Sequence, residues 1–369
     1  KVAQLFVVSP ETLTGVDSVQ YAGDMTYQAL QDYPVGGIVF AKDNIDSSSQ
    51  FGTMTDNLQS YSEEISGLPL FLAAAEEGGS ASVLGNNDNL DEYYENSYSD
   101  DGSDYSSSSA NSVHSGAPSM SEIGRKDDST NAYEAGKSIG SLMSAYGLNL
   151  DLAPVADVLS GNSTGIGNRT FGTDAQTVSD MALEVIRGIQ EEDVNAAMKY
   201  FPGYGAASSN MSGFPVINSS LDELKKKEFL PYSNAIAQGM DFVMVGHISV
   251  PNVTGDDTPA SLSEKMISEV LRKDLGFKGI VMTDYLNDKT IVKNYGAADA
   301  AVKAIQAGAD LLLEPDDLEA AYEGVLKAVK KGDITEDRLD ESIYRILRVK
   351  LSMQDESSDT TESESVSDY

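Results

Sequence analysis

Charged or titratable side chains follow a succession of short apolar runs in this sequence: Lys42 and Asp43, Glu76 and Glu77, Asp157, Lys199, His247, Asp284 and Glu314. Such groups can transfer protons or attack as carboxylates when a rigid element holds them. Taken singly, each is more simply a structural salt-bridge partner. Gathered on one rim, they would make a site. One segment sharpens the question. KYFPGYGAASSNMSGFP (199–215) is a glycine-rich polar loop after an apolar run, yet beyond Lys199 it contains no histidine, aspartate or glutamate.

Composition removes several chemistries. The 369 residues include no cysteine, so thiolate catalysis and disulfides are excluded, and only two histidines, His114 and His247, so a multi-histidine metal centre is excluded too. The excess of 59 acidic over 25 basic residues argues against nucleic acid and anionic membrane surfaces as partners. No apolar run has the length of a membrane span. Lys1 stands directly ahead of a strand with no initiator Met or signal segment, as expected for a processed chain whose address label lay upstream.

Eight apolar runs must position these groups: 3–10, 35–41, 68–77, 148–157, 194–203, 241–250, 278–286 and 309–315. Continuous rather than alternating apolarity indicates strands buried on both faces, as in a parallel sheet. Amphipathic stretches between them end at Gly67, Gly147, Gly239, Gly276 and Gly308, where helix C-caps belong. Helix starts are predicted from Thr173 with Gln176, Ser220 with Glu223 and Ser261 with Glu264. Eight β-then-α units predict an α/β fold, a single-domain (β/α)8 TIM-type barrel over residues 1–352, with active groups at the C-terminal ends of its strands. A doubly wound open sheet is the rival, and the eighth unit favours closure. A last helix over about 335–352 is expected on the outside. Residues 85–121, with no Lys or Arg, and the acidic tail 353–369 bury too little apolar surface to order, and are expected to be a mobile insertion and a mobile tail. The tail and the missing upstream region fit a secreted or cell-surface protein.

Several ordered motifs carry a resemblance: KVAQLF, VGGIVF, EEGG (76–79), LNLDLAPVADV, GNRTFGTD (167–174), KYFPGYG, MVGHISVPNV, TPASLS, LRKDLGFKGIVMTDYL and RILRVKLS. The chain resembles glycoside hydrolase family 3, in its branch of single-domain, NagZ-like β-N-acetylglucosaminidases. The resemblance implies retaining O-glycosyl hydrolysis of β-linked N-acetylglucosamine, in which a carboxylate attacks and a second group protonates the leaving oxygen. It places Asp284 as nucleophile and Arg169, Lys199 and His247 around the substrate, His247 shaping the site. It implies a carbohydrate partner, a β-N-acetylglucosaminide or a cell-wall fragment, and no metal or other cofactor.

Other positions depart from the family pattern. Its KHFPGHG histidines are Tyr200 and Tyr204 here, and its Asp-x-His acid–base dyad falls on Asn210 and Ser212. The aspartate before EEGG is Ala75, and the arginines after it are Ser80 and Val83. A hydrolytically impaired enzyme is therefore expected, unless Glu76, Glu77 or a carboxylate of the acidic insertion replaces the histidine. The alternatives are a pseudoenzyme that binds a glycan or cell-wall fragment, and an interaction scaffold using the acidic insertion. DDGSD (100–104) within that insertion lacks calcium-loop spacing.

Overall fold

The computed structural model describes residues 1–90, 117–160, 166–208 and 213–364, with side chains through 354. His114, Asn210, Ser212 and the centre of the acidic insertion lie outside the described residues.

Ten strands form: β1 Phe6–Val8, β2 Gly37–Val39, β3 Phe71–Ala74, β4 Leu150–Asp151, β5 Val155–Val158, β6 Thr170–Gly172, β7 Asn195–Phe201, β8 Phe242–Val245, β9 Ile280–Thr283 and β10 Leu312–Leu313. All their pairings are parallel, in the order β1–β2–β3–β4–β7–β8–β9, and β10 returns to pair with β1 through Phe6 and Leu312. A parallel bridge between Met282 and Leu311, with Thr283 N donating to Leu311 O at 3.0 Å, joins β9 to the β10 segment and closes the ring. The expected barrel is present, and the open sheet is not. β1, β2, β3, β8 and β9 are buried at every residue, because helices cover the outside and side chains fill the inside.

The fourth apolar run yields two strands rather than one. Pro154 lacks the N–H that a continuous ladder needs, so β4 ends before it and β5 starts after it. β5 then pairs with β6, a short strand inside the NRTFG motif that its polar surroundings hide. The VGGIV sequence of β2 has a steric reason. A Cβ on Gly36 would stand 2.2 Å from the Gln4 carbonyl oxygen, and one on Gly37 2.5 Å from that of Phe71.

All five predicted helix-ending glycines have positive φ. Ser220 and Glu223 form the predicted capping box. Two other predicted starts are corrected. The helix Ala175–Gln190 is capped by Asp174, whose carboxylate accepts from Thr177 N, one residue beyond Thr173. Ser261 does not cap the π-type helix Lys265–Asp274, because its hydroxyl is bonded to His247.

The acidic insertion is anchored at both ends, more tightly than 85–121 as a whole implied. Leu90, Ala117 and Met120 are buried, Asn89 Nδ2 donates to Ile45 O at 2.8 Å, and helix Met120–Lys126 starts within the segment. The last helix, Glu336–Glu364, continues past residue 352.

That helix also closes the N-terminal end of the barrel. Lys350 is fully buried there, its ammonium 3.0 Å from Gln4 Oε1 and 5.1 Å from the centre of the Phe71 ring, with no carboxylate beside it. Burial pushes its pKa down to about 7. The unfolded chain therefore binds the extra proton between about pH 7 and the ordinary lysine pKa near 10. The burden is full below pH 7 and fades as pH rises. Lys350→Met should stabilise the protein by about 1–3 kcal/mol at pH 6. In thermal melts that gain should shrink steadily toward pH 10.

Candidate active site

The C-terminal ends of β3, β7 and β9, with the Gly167–Arg169 turn ahead of β6, bring four charges together: Glu77, Arg169, Lys199 and Asp284. Glu77 follows β3 and is the junction between the two cations. Arg169 holds it in a two-pronged grip, Nε to Oε2 at 2.7 Å and Nη2 to Oε1 at 2.6 Å. Lys199 Nζ lies 2.7 Å from the same Oε1. Burial alone would push the Glu77 carboxyl up, but Lys199 and Arg169 outweigh it and hold it below the usual range. Lys199, inside a buried strand, is itself driven upward despite its burial, chiefly by Tyr200 and Glu77. Both cations thus stay charged. Arg169 keeps 30% of its side chain exposed while Lys199 keeps 3%, so only Arg169 faces the barrel mouth directly.

Tyr200 covers this cluster. Its ring centre lies 5.2 Å from Lys199 Nζ and 5.6 Å from the Arg169 guanidinium carbon, and its hydroxyl accepts from Arg169 Nη2 at 2.7 Å. Both ring contacts are within cation–π range. Tyr204 stacks edge-on against it, ring centres 5.1 Å apart.

Asp284 stands just past β9 and is half-buried. Tyr204 Oη donates to its Oδ2 at 3.0 Å, and Tyr285 N donates to its Oδ1 at 2.9 Å. Tyr204 Oη also accepts the His247 backbone N–H at 3.0 Å. Burial and the adjacent Asp284 charge push the Tyr204 phenol well above its ordinary range, so it remains a donor at neutral pH. The two bonds fix the carboxylate plane, as attack on an electrophilic carbon requires.

The remaining rim groups serve the scaffold. Glu76 is fully buried and accepts from Leu84 N and Gly85 N at 2.8 and 3.1 Å, so it shapes the loop after β3. Asp157 ends β5 and accepts from Gly205 N at 2.9 Å and Tyr200 N at 3.4 Å, fastening the FPGYG turn that carries both tyrosines. Glu314 accepts from Ser9 N, Ser9 Oγ and Thr12 Oγ1, bracing the turn after β1. Lys42 and Asp43 line a separate cavity of about 490 Å³ with Glu11 and Asp17. His247, placed by the resemblance around the substrate and shaping the site, has both ring nitrogens in hydrogen bonds. Nε2 lies 2.8 Å from the Tyr285 carbonyl, which can only accept, so Nε2 carries a proton, and Nδ1 pairs with Ser261 Oγ at 2.7 Å. The ring braces the backbone beside Asp284.

Of the replaced positions that are described, 75, 83, 200 and 204 are apolar or aromatic, and Ser80 is an exposed polar residue. Ala75 and Val83 are half-buried and joined by a hydrogen bond from Val83 N to Ala75 O, 3.3 Å long. Of the three sources named for a substitute carboxylate, the acidic insertion lies for residues 91–116 outside the described residues, and the other two are engaged. Glu76 is spent on backbone donors and Glu77 on two cations. Sequence reasoning missed the Glu77 clamp and the Tyr204 contact with Asp284. The EEGG run was the available signal for the first, and FPGYG for the second.

Two pH signatures of opposite sign follow. Burial raises Asp157 to about 7, so the folded state binds its proton from about pH 4 to 7 and stability falls as pH climbs through that window. Asp157→Asn should flatten this slope in chemical denaturation series. Glu77 is depressed, so its contribution is complete above the unfolded glutamate pKa and is lost only as pH falls through the folded value. Glu77→Gln should cost about 3–5 kcal/mol at pH 7, because two cations lose their carboxylate. It should also remove part of the acid-side loss of stability.

Sequence and structure comparisons identify the family of the fold. Residues 108–349 match the model of the glycosyl hydrolase family 3 N-terminal domain. The chain is 28% identical over 359 residues to beta-hexosaminidase LpqI of Mycobacterium tuberculosis, covering 95% of this chain and 82% of that protein. It superposes with a TM-score of 0.82 on a family 3 β-N-acetylglucosaminidase from Paenibacillus, at 30% identity, over 96% of this chain but only 62% of that one. A family 3 glycosyl hydrolase from Mycobacterium smegmatis gives a TM-score of 0.75 at 31% identity, with 95% and 96% covered. The closed parallel barrel, the motif order and these matches make one conclusion: the chain belongs to glycoside hydrolase family 3, among relatives of the β-hexosaminidases.

Proposed function

We propose that this protein binds a β-linked N-acetylglucosamine unit over Asp284 and Arg169, and that Asp284 attacks the anomeric carbon in a retaining reaction that lacks an efficient acid–base. The observation that carries the reading is the Asp284 carboxylate itself. It is half-buried and fixed by one hydrogen bond to each oxygen, from Tyr204 and from the Tyr285 N–H, while His247, Lys199 and Glu77 are engaged elsewhere. The family's expected acid–base positions hold Asn210 and Ser212, which cannot donate a proton at neutral pH.

The steps divide accordingly. Glycosylation of Asp284 breaks the bond to the leaving oxygen and forms an ester, with departure rate set by how well that oxygen bears charge. Deglycosylation needs water attack, again unassisted. Tyr204 donates to Asp284 too closely to act as the leaving-group acid, since the two catalytic groups of a retaining glycosidase stand about 5–5.5 Å apart. A second reading, binding without turnover, draws support from Tyr200, whose ring and hydroxyl already occupy Arg169 and Lys199.

Incubation with an activated aryl β-N-acetylglucosaminide, followed by intact-protein mass measurement, tests the proposal. An adduct of one sugar, absent in Asp284→Asn, is expected. Rapid aryl alcohol release without adduct would refute the impairment, and neither adduct nor release from folded protein would favour binding alone. A gain-of-function test complements it. Asn210→Asp combined with Ser212→His should raise turnover of an unactivated disaccharide by about 10²-fold or more.

A further inference from the structure

A second cavity, of about 490 Å³, opens on the same face of the barrel, and its walls come from the three strands that deliver Tyr204, His247 and Asp284. Phe214 follows β7, Ser249 and the 256–258 turn follow β8, and Asn294 and Tyr295 follow β9. Phe214 and Tyr295 are stacked, ring centres 6.4 Å apart and 29° from parallel. The loop after Tyr204 is led back into this wall by pairing of Ser208 with Val216, and of Val216 with Ser249. The cavity wall is therefore tied by backbone pairing to the segment that carries Tyr204 and to the one that carries His247.

Its charges are one-sided. Asp256 and Asp257 are exposed, Asp256 uses one oxygen on Thr258 N at 2.9 Å, and neither forms an ion pair among the described residues. Asp256, with Asp299, also helps push the Tyr295 phenol up. Lys293 adjoins Asn294 in sequence but does not line the cavity. Independently, the cations deeper in the site are already neutralised, since Glu77 and Asp284 balance Arg169 and Lys199, and Ser80 and Val83 stand where family members carry arginines. Lys42 is beyond β2, across the barrel mouth from β8. Among the described residues no Lys or Arg lines the cavity, so a leaving group bearing a carboxylate meets no cation in its walls, and the net charge of −34 opposes its approach.

We propose that this cavity is a leaving-group subsite selective for an amino sugar: a glucosamine unit stacked on Tyr295, with its ammonium directed to Asp256 and Asp257. This rests on the reading of Asp284 and Arg169 as the N-acetylglucosamine site. Sugar rings offer an apolar face to aromatic side chains, an ammonium gains a cation–π contact, and paired carboxylates supply the charge.

Calorimetric titration of full-length Asp284→Asn, in which turnover is blocked, tests it. At about pH 6 and low salt, N-acetylglucosaminyl-β-1,4-glucosamine should bind about three- to tenfold more tightly than its N-acetylated counterpart. The same disaccharide ending in N-acetylmuramic acid should bind most weakly. The spread should collapse in 0.5 M NaCl and in a variant also carrying Asp256→Asn and Asp257→Asn. Tyr295→Ala should weaken all three disaccharides and leave the affinity for N-acetylglucosamine alone unchanged. Equal affinities at low salt, a preference for the muramic acid ligand, or a preference surviving in the double asparagine variant would overturn the subsite. Failure of N-acetylglucosamine itself to bind would instead overturn the underlying site assignment, and the subsite with it.

Discussion

The site depends on one buried carboxylate. Glu77 sits between a guanidinium and an ammonium, and without it β7 would carry an uncompensated charge in the barrel interior. Burial of Lys199 is tolerable because the lost hydration is replaced by a 2.7 Å contact with a carboxylate that is itself held ionised by two cations. The clamp therefore fixes the Gly167–Arg169 turn and the end of β7 relative to β3. Tyr200 is laid over that platform, and Tyr204 reaches Asp284 from the same turn. The nucleophile candidate is thus oriented by a chain of contacts that begins four barrel positions away, on the opposite side of the ring.

This arrangement exchanges titration for rigidity. Imidazoles at positions 200 and 204 would change charge near neutral pH. Phenols pushed upward by burial do not, so the hydrogen bonds around Asp284 keep one polarity across the physiological range. Tyr204 can only donate to the carboxylate once it accepts the His247 backbone N–H, and His247 is in turn locked by Ser261 and the Tyr285 carbonyl. A network in which each group has one available role is well suited to holding a carboxylate still and poorly suited to moving a proton.

The fold was legible because its physics is local. Strands buried on both faces must be apolar without interruption, and helices that turn back toward a strand end at glycine, so eight runs and five glycines sufficed for a barrel. Reading failed where a tertiary partner or a single atom decided. Pro154 split a run that composition presents as continuous, and Ser261 left its predicted cap for an imidazole. Leu90, Ala117 and Met120 are too sparse to lift the average of the acidic segment around them, yet they anchor its ends. Asp284, Arg169 and Lys199 were found because motif position marks them. The Glu77–Arg169 contact joins residues 92 apart in sequence, and no spacing rule encodes it.

Charge balance links the interior of the site to what it can accept. Two cations and two carboxylates leave the floor of the barrel mouth close to neutral, so an uncharged sugar can dock without stranding a charge. Developing positive charge at the anomeric carbon would then be met by Asp284 alone, because Glu77 is already neutralised by its partners. Stabilisation of the transition state is concentrated on a single carboxylate, with nothing comparable on the leaving-group side. On the proposed reading, catalytic strength in such a site would be set by the leaving group more than by the protein. The proposed subsite extends the same logic outward: if the protein supplies no proton, recognition of the departing unit by Asp256, Asp257 and Tyr295 would be the remaining way to discriminate among glycans.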